Sequence, residues 1–491
     1  MFLEATLSII IAASFVAGTG ENDREFRDMC MLYTLLIQPV PEPKPGKGPG
    51  DTVEDLSTKA QAALSQALKI NLTIIEAPML KALLDKQKYE NEAKLVATDS
   101  PVKGYFENLT PNVRQEMMAA ARATDDGSQD QKDFARNYGL PLSESKKQML
   151  RPAVSALTAQ TIKTLKEVSE AVERINKARA DTRRAMLQAL FGKTYEAAAT
   201  EAQLNTEATW DKTPAAADFP WSGQVRDTAC AATNGDDKKA GYALATNIMC
   251  ICSLQHDSAA NVFCTGNSAP NQQESGAKTP SDMAERWTKL SAICKNNVGD
   301  SEQQLSGPAL STAVTRILAH LGKNMKVNTG LTPASALTGA SHDFLGFFSV
   351  NNAAPQCDSN DANPQSTATK GVCINYAKLL KSKTGIPWAA KVSDAVTKLE
   401  TISKEYTDAT ALLAQAASLT AQIEAAVHLG KLLAAAEAPN KATTELAQKT
   451  CPEKNKTAEE WPSKRCDYDN TTKQCKPKTG VGDTKRGSTC R

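Results

Sequence analysis

Two long apolar stripes constrain this 491-residue chain more than any other feature. Between residues 153 and 191, the positions Ile162, Leu165, Val168, Val172 and Ile175 step by 3, 3, 4 and 3. Lys163, Lys166, Glu167, Glu170, Glu173, Arg174 and Lys177 fill the other faces, with Glu170–Arg174 and Glu173–Lys177 at helical pairing distance. From residue 387 to about residue 438, Val396, Leu399, Ile402, Tyr406, Ala409, Leu413 and Ala416 step by 3, 3, 4, 3, 4 and 3. Leu419, Ile423 and Val427 carry that stripe on. Such periods select helix over strand. At 1.5 Å per residue the two helices would run on the order of 55 and 75 Å. A compact globule rarely holds helices of that length. The sequence therefore predicts a mainly α fold, an elongated long-helix hairpin or coiled-coil bundle in which one seam buries the other.

The stretch between them, about residues 193–386, is different. It has short mixed patterns, many Gly, Asn, Pro and Ser, and most of the cysteines that precede residue 450. It reads as a loop-rich, disulfide-rich lobe. The eight cysteines of the body are Cys30, Cys230, Cys250, Cys252, Cys264, Cys294, Cys357 and Cys373, an even number that permits full pairing. Eight cysteines allow about 105 connectivities. A short loop makes Cys357 with Cys373 the best single pair. Cys250-Ile251-Cys252 with Cys264 or His256 is the metal-site alternative. Its spacing is a weak zinc signal, since structural zinc sites favour two residues between ligand cysteines, so no metal is expected.

Residues 451–491 form a second, small domain. Cys451, Cys466, Cys475 and Cys490 sit among Lys, Asp, Pro, Thr and Gly, with only Trp461, Tyr468, Val481 and a little Ala as apolar content. So little apolar surface cannot drive folding alone. Two staples, each stabilising by about 3 kcal/mol, can. The pairs favoured are Cys451–Cys475 and Cys466–Cys490. Such modules belong to oxidising compartments. The tail carries 10 Lys plus Arg against 6 Asp plus Glu, while the whole chain has a net charge of only +2, which gives no footprint for nucleic acid.

Residues 1–20 read as a signal peptide, with an apolar run over residues 7–13 and small residues Val16, Ala17 and Gly18 at the cleavage zone. Glu4, with no Lys or Arg before the apolar run, departs from the usual pattern. The expected mature body is 21–438, followed by a polar linker at 439–450. Within it a helix is predicted over 22–37, on Phe26, Met29, Cys30, Tyr33 and Leu36. PVPEPKPGKGPG (39–50) must be a loop. A further helix is predicted from residue 53 to about 70, closed off by Pro78. Four Asn-x-Thr acceptors are glycosylation candidates: Asn71, Asn108, Asn455 and Asn470.

No catalytic constellation emerges. Gly192-Lys193-Thr194 lacks the upstream glycine of a phosphate loop, because Leu187 stands there. His342-Asp343 beside Ser341 cannot form a triad from adjacent positions. His320 and His428 lie in no motif. No enzyme and no cofactor is expected.

Several segments resemble one family in family order. EFRDMCMLY (25–33) is similar to the opening helix of trypanosome variant surface glycoproteins, class B in particular. ALATNIMCICSLQHDSAANVFC (243–264) resembles the class B segment in which Cys-x-Cys follows an Ala-rich helix. CDSNDANPQSTATKGVCINYAKLL (357–380) with GIPWAAKVSDAVTKLE (385–400) resembles the closing cysteine loop and the Ile-Pro-Trp helix start. KTAEEWPSKRCDYDNTTKQCKPK (456–478) is similar to the first C-terminal cysteine subdomain, with Trp461 where cysteine is common. The resemblance implies a homodimer or homotrimer on the external face of the plasma membrane, forming a dense coat for antigenic variation and immune evasion. It implies host antibodies as partners and a glycosylphosphatidylinositol anchor, whose apolar signal is not in this chain; a fragment or truncated precursor is the expectation. It also makes SEQQLSGPALSTA (301–313) a candidate tract for sugar on Ser or Thr. A nutrient receptor for a serum protein on the same scaffold is the alternative.

Overall fold

The computed structural model describes residues 20–44, 55–124, 128–255, 263–265, 275–297, 303–327, 341–351, 354–360, 369–383, 385–436, 466–469 and 474–477. In chain order the helices are α1 (Asp23–Leu36), α2 (Leu56–Leu72), α3 (Ala77–Leu84), α4 (Glu92–Leu95), α5 (Lys103–Phe106), α6 (Pro111–Ala123), α7 (Gln129–Tyr138), α8 (Glu144–Phe191), α9 (Glu201–Leu204), α10 (Arg226–Ala229), α11 (Leu244–Cys252), α12 (Pro280–Asn297), α13 (Gly307–Ala319), α14 (Ala377–Leu380) and α15 (Pro387–Ala436). Strands β1 (Met325–Val327), β2 (Phe344–Val350) and β3 (Gly371–Asn375) make one sheet, in which β2 is parallel to β1 and antiparallel to β3. Strands β4 (Cys466–Asp469) and β5 (Gln474–Pro477) form an antiparallel pair. The fold is a long-helix, mainly α bundle with disulfides.

The long helices have 48 and 50 residues. α8 begins nine residues before the predicted start and runs through Pro152. An interior proline removes one backbone bond and crowds the preceding turn. Tertiary contacts offset that here: Leu150 and Val154 are buried, and Arg151 donates to the Ile74 carbonyl at 3.0 Å and meets Glu76 and Glu144. Pro78 is likewise not a terminator. It occupies the first turn of α3, where a missing N–H costs nothing. Along α15 the fully buried positions Ala395, Ile402, Ala409 and Ala416 repeat every seven residues. Val396, Leu399, Tyr406 and Leu413 are only partly covered.

The chain forms two compact units. The first comprises Met1–Ala62 and Lys163–Ala416. Its centre is α1, packed on α11, α12 and α13. Phe26, Met29, Leu32, Leu35 and Leu36 are all buried there. Trp287 of α12 is fully enclosed and meets Tyr33 and Phe191 edge-on, at 5.4 and 5.8 Å between centroids. Ala171 and Ile175 of α8 share this core with Ile402 and Ala409 of α15, and Arg174 pairs with Glu405 at 2.9 Å. The second unit comprises Ala63–Ile162 and Ala417–Arg491. Ala67, Ile70, Ile74, Leu142, Leu150, Val154, Ile423 and Val427 form its core. There the ring of Tyr138 stacks on His428 at 5.0 Å, and its hydroxyl bonds Glu424 at 3.2 Å. Burial, then the Glu424 charge, push that phenol up to about 12.

Strand β2 is buried along its whole length, and Gly346 is what lets β3 approach. Its φ is +99°, and a Cβ there would lie 2.8 Å from the Val372 carbonyl and 3.3 Å from Asn22 Oδ1. Gly346→Ala combines a disfavoured backbone angle with a clash against main chain. It should cost about 2–3 kcal/mol, read as a lower denaturation midpoint with an unchanged slope.

Candidate functional site

The lobe of the first unit is tied by four disulfides: Cys30–Cys294, Cys230–Cys250, Cys252–Cys264 and Cys357–Cys373. Helix α11 is buried from end to end and supplies two of these cysteines. Residues two apart on a helix are turned by roughly 200°. Cys250 and Cys252 therefore point to different sides and take different partners, which a chelating pair could not do. Among the described residues, no group of three His, Cys, Asp or Glu side chains could hold a metal ion.

Three buried polar residues fasten the same region. Asn22 has no exposed surface. Its Nδ2 donates to the carbonyls of Ile251 (2.8 Å) and Val372 (2.9 Å), and its Oδ1 accepts from the Phe347 N–H (2.7 Å) and Asn324 Nδ2 (3.2 Å). One side chain thus joins α11, β2 and β3. Arg226, also fully buried, donates to the carbonyls of Cys250 and Cys373 and pairs with Asp227 at 2.7 Å. Asp227 accepts from the Ser359 hydroxyl at 2.6 Å, two residues from Cys357. Asn247 accepts from the Gly241 N–H at 2.8 Å and donates to the Tyr376 hydroxyl at 2.6 Å. Burial pushes the Tyr376 phenol well above its ordinary range. Asn22 and Arg226 thereby take up the buried carbonyls of Ile251, Val372, Cys250 and Cys373.

None of Asn22, Arg226 and Asn247 stood out in the sequence; Tyr376 appeared only as the tyrosine of the closing cysteine loop. Asn22 occupies a helix-cap position, yet its side chain caps nothing in α1. Polar residues buried by long-range pairing leave no periodic signal.

A titratable cluster joins α1 to α13. His320 Nε2 lies 2.7 Å from Asp28 Oδ2. The Asp28 hydrogen bond, then the Glu25 charge, raise the imidazole above its ordinary value, against desolvation. Burial raises the Glu25 carboxyl. A raised imidazole pKa contributes stability that is complete below the unfolded value near 6.5 and is lost as pH rises through the folded value. A raised carboxyl pKa acts in the same direction, because the ionised form is the one penalised by the fold. The first unit should melt at a higher temperature at pH 5.5 than at pH 8. His320→Gln should flatten that difference in a calorimetric pH series.

The sequons separate clearly. Asn71 is 4% exposed, and its amide nitrogen, the atom a glycan would take, donates to Thr158 Oγ1 at 3.2 Å. In the fold the Asn71 amide is thus enclosed and hydrogen-bonded. Asn108 is exposed in the turn before α6. Asn455 and Asn470 lie outside the described residues, as do residues 1–19 of the predicted signal peptide, the linker, His256, Cys451 and Cys490. Cys466 and Cys475 fall on β4 and β5; the tail pairings proposed for them involve residues outside the described set. His342 is exposed in the turn before β2. No described helix is long and apolar enough to cross a membrane.

The described chain thus combines two long helices with a disulfide-tied, polar-anchored core. Residues 5–418 match the trypanosomal VSG domain in its B type. The chain belongs to that family. Among curated proteins it is 27% identical over 214 residues to variant surface glycoprotein YnAT 1.3 of Trypanosoma congolense, covering 42% of this chain and 48% of that protein. It is 26% identical over 275 residues to variant surface glycoprotein ILTAT 1.25 of Trypanosoma brucei brucei, covering 53% of this chain and 50% of that protein. The chain thus spans about half the length of the curated relatives it matches.

Proposed function

We propose that the chain is a surface coat glycoprotein of a trypanosome, packed densely over the plasma membrane as a shield and exchanged in antigenic variation and immune evasion. The observation that carries this reading is family membership across residues 5–418. The interior supports it physically. Disulfides and buried polar anchors fix the lobe's backbone, so exposed positions can change without loss of the fold. Self-association as a homodimer or homotrimer, host antibodies as partners and a lipid anchor on the external face belong to the same proposal. Ser306, Ser311 and Thr312, all exposed, are the described hydroxyls of the tract proposed to carry sugar.

The test is expression of the tagged full-length protein in bloodstream trypanosomes. A coat protein labels the whole surface at very high copy number and is released by a phosphatidylinositol-specific phospholipase C. Low copy number with saturable binding of one serum protein would favour the receptor alternative and overturn the coat reading. Glycan occupancy gives a second check. Asn108→Gln should abolish one mobility shift on peptide N-glycosidase treatment, whereas Asn71→Gln should leave the number of shifts unchanged.

A further inference from the structure

The second unit contains a cleft of about 310 Å³ that a shielding role does not use. It lies among the end of α2, α3, the end of α6, α7 and the segment entering α8. Leu72, Leu80, Phe134 and Leu142 supply apolar walls. Lys69 and Lys147 also line it, and none of the twelve lining residues is acidic. Both lysines are half-buried, and neither has a carboxylate partner among the described residues. This sets them apart from Lys398 and Lys295, which hold Asp394 and Asp211 at 2.7 and 2.6 Å. The hydroxyls of Thr73 and Thr124 donate to carbonyls of Ile70 and Ala121, both at 2.8 Å, so the charged donors in the cleft are the lysines.

We propose that this cleft binds a medium-chain fatty acid, its carboxylate held between Lys69 and Lys147 and its tail covered by Leu72, Leu80, Phe134 and Leu142. Two cations with no carboxylate partner among the described residues, in a partly desolvated site, favour an anion more than they would in open water. The apolar walls favour a hydrocarbon over a compact polar anion. The volume is at the small end of ligand sites, on the order of ten waters, which suits one chain and not a two-chain lipid.

Calorimetric titration of the full chain with dodecanoate below its micellar concentration tests this. One saturable site is expected, weakening about fourfold for each methylene removed towards octanoate, as burial of a CH₂ predicts. Lys69→Met with Lys147→Met should weaken dodecanoate at least tenfold and leave dodecanol unchanged. Ala135→Trp, which fills the cleft, should abolish both; if that variant melts early, Leu80→Gln provides the same reading. Absence of a saturable site, binding that survives the cleft substitutions, or equal losses for acid and alcohol in the lysine variant would each overturn the proposal. Tighter binding of dodecyl phosphate than of dodecanoate would overturn the carboxylate assignment.

Discussion

Replacing Cys30 and Cys294 together by alanine should lower the unfolding free energy of the first unit by about 5 kcal/mol. The bridge joins residues 264 apart in sequence, so reducing it releases a very long loop in the unfolded chain. Loop-closure entropy grows with the logarithm of loop length. Cys252–Cys264 closes only 12 residues, and its removal should cost about 3 kcal/mol. Alanine is the right replacement because both sulfurs are enclosed, with Cys30 at 1% and Cys294 at 0% exposure, and a serine hydroxyl would be buried without a partner. The loss also acts on the native side. α1 packs on α12, and the bridge fixes that contact beside the Tyr33–Trp287 edge-to-face pair. Denaturant unfolding of the two double variants gives the comparison. A Cys252–Cys264 variant as unstable as the Cys30–Cys294 variant would contradict the loop-length argument. Amide exchange should show α1 opening first in the latter.

The parts of the fold written in periodic apolar positions were legible in the sequence. The 3–4 spacing located α1, α8 and α15, because packing on one helical face leaves a repeating trace. One proline misled: Pro78 does not close a helical region but occupies the first turn of α3, where no backbone bond is lost. The Cys-x-Cys pair was visible in the sequence, but its two separate bridges depend on α11 being a helix that turns Cys250 and Cys252 to different partners. Asn71 shows the limit of a motif: the tripeptide is intact, yet the fold encloses its amide against Thr158. The cleft of the second unit was invisible, because Lys69 and Lys147 are 78 residues apart and converge only through tertiary packing.

Asn22→Leu should be as damaging as the loss of the longest disulfide, although it removes no covalent bond and preserves side-chain size. The substitution leaves the Ile251 and Val372 carbonyls and the Phe347 N–H buried without partners. Each orphaned group costs about 1–3 kcal/mol, so the three together cost about 3–9 kcal/mol. Asn22→Asp separates donor from acceptor. A carboxylate still accepts from Phe347 but cannot donate to either carbonyl, and its charge sits where no water reaches. Burial raises a carboxyl pKa, since the neutral form is favoured. Its protonated form regains one O–H donor, so Asn22→Asp should recover part of its stability as pH falls, whereas Asn22→Leu should not. Denaturant midpoints of both variants at pH 5 and pH 7.5, each corrected for the parent's own pH dependence, separate the two. Equal corrected midpoints for Asn22→Asp at both pH values would mean that the side chain is not the donor joining α11 to β3. The site would then be held by the Phe347 contact and the backbone bond from Asn22 to the Phe263 carbonyl at 2.7 Å.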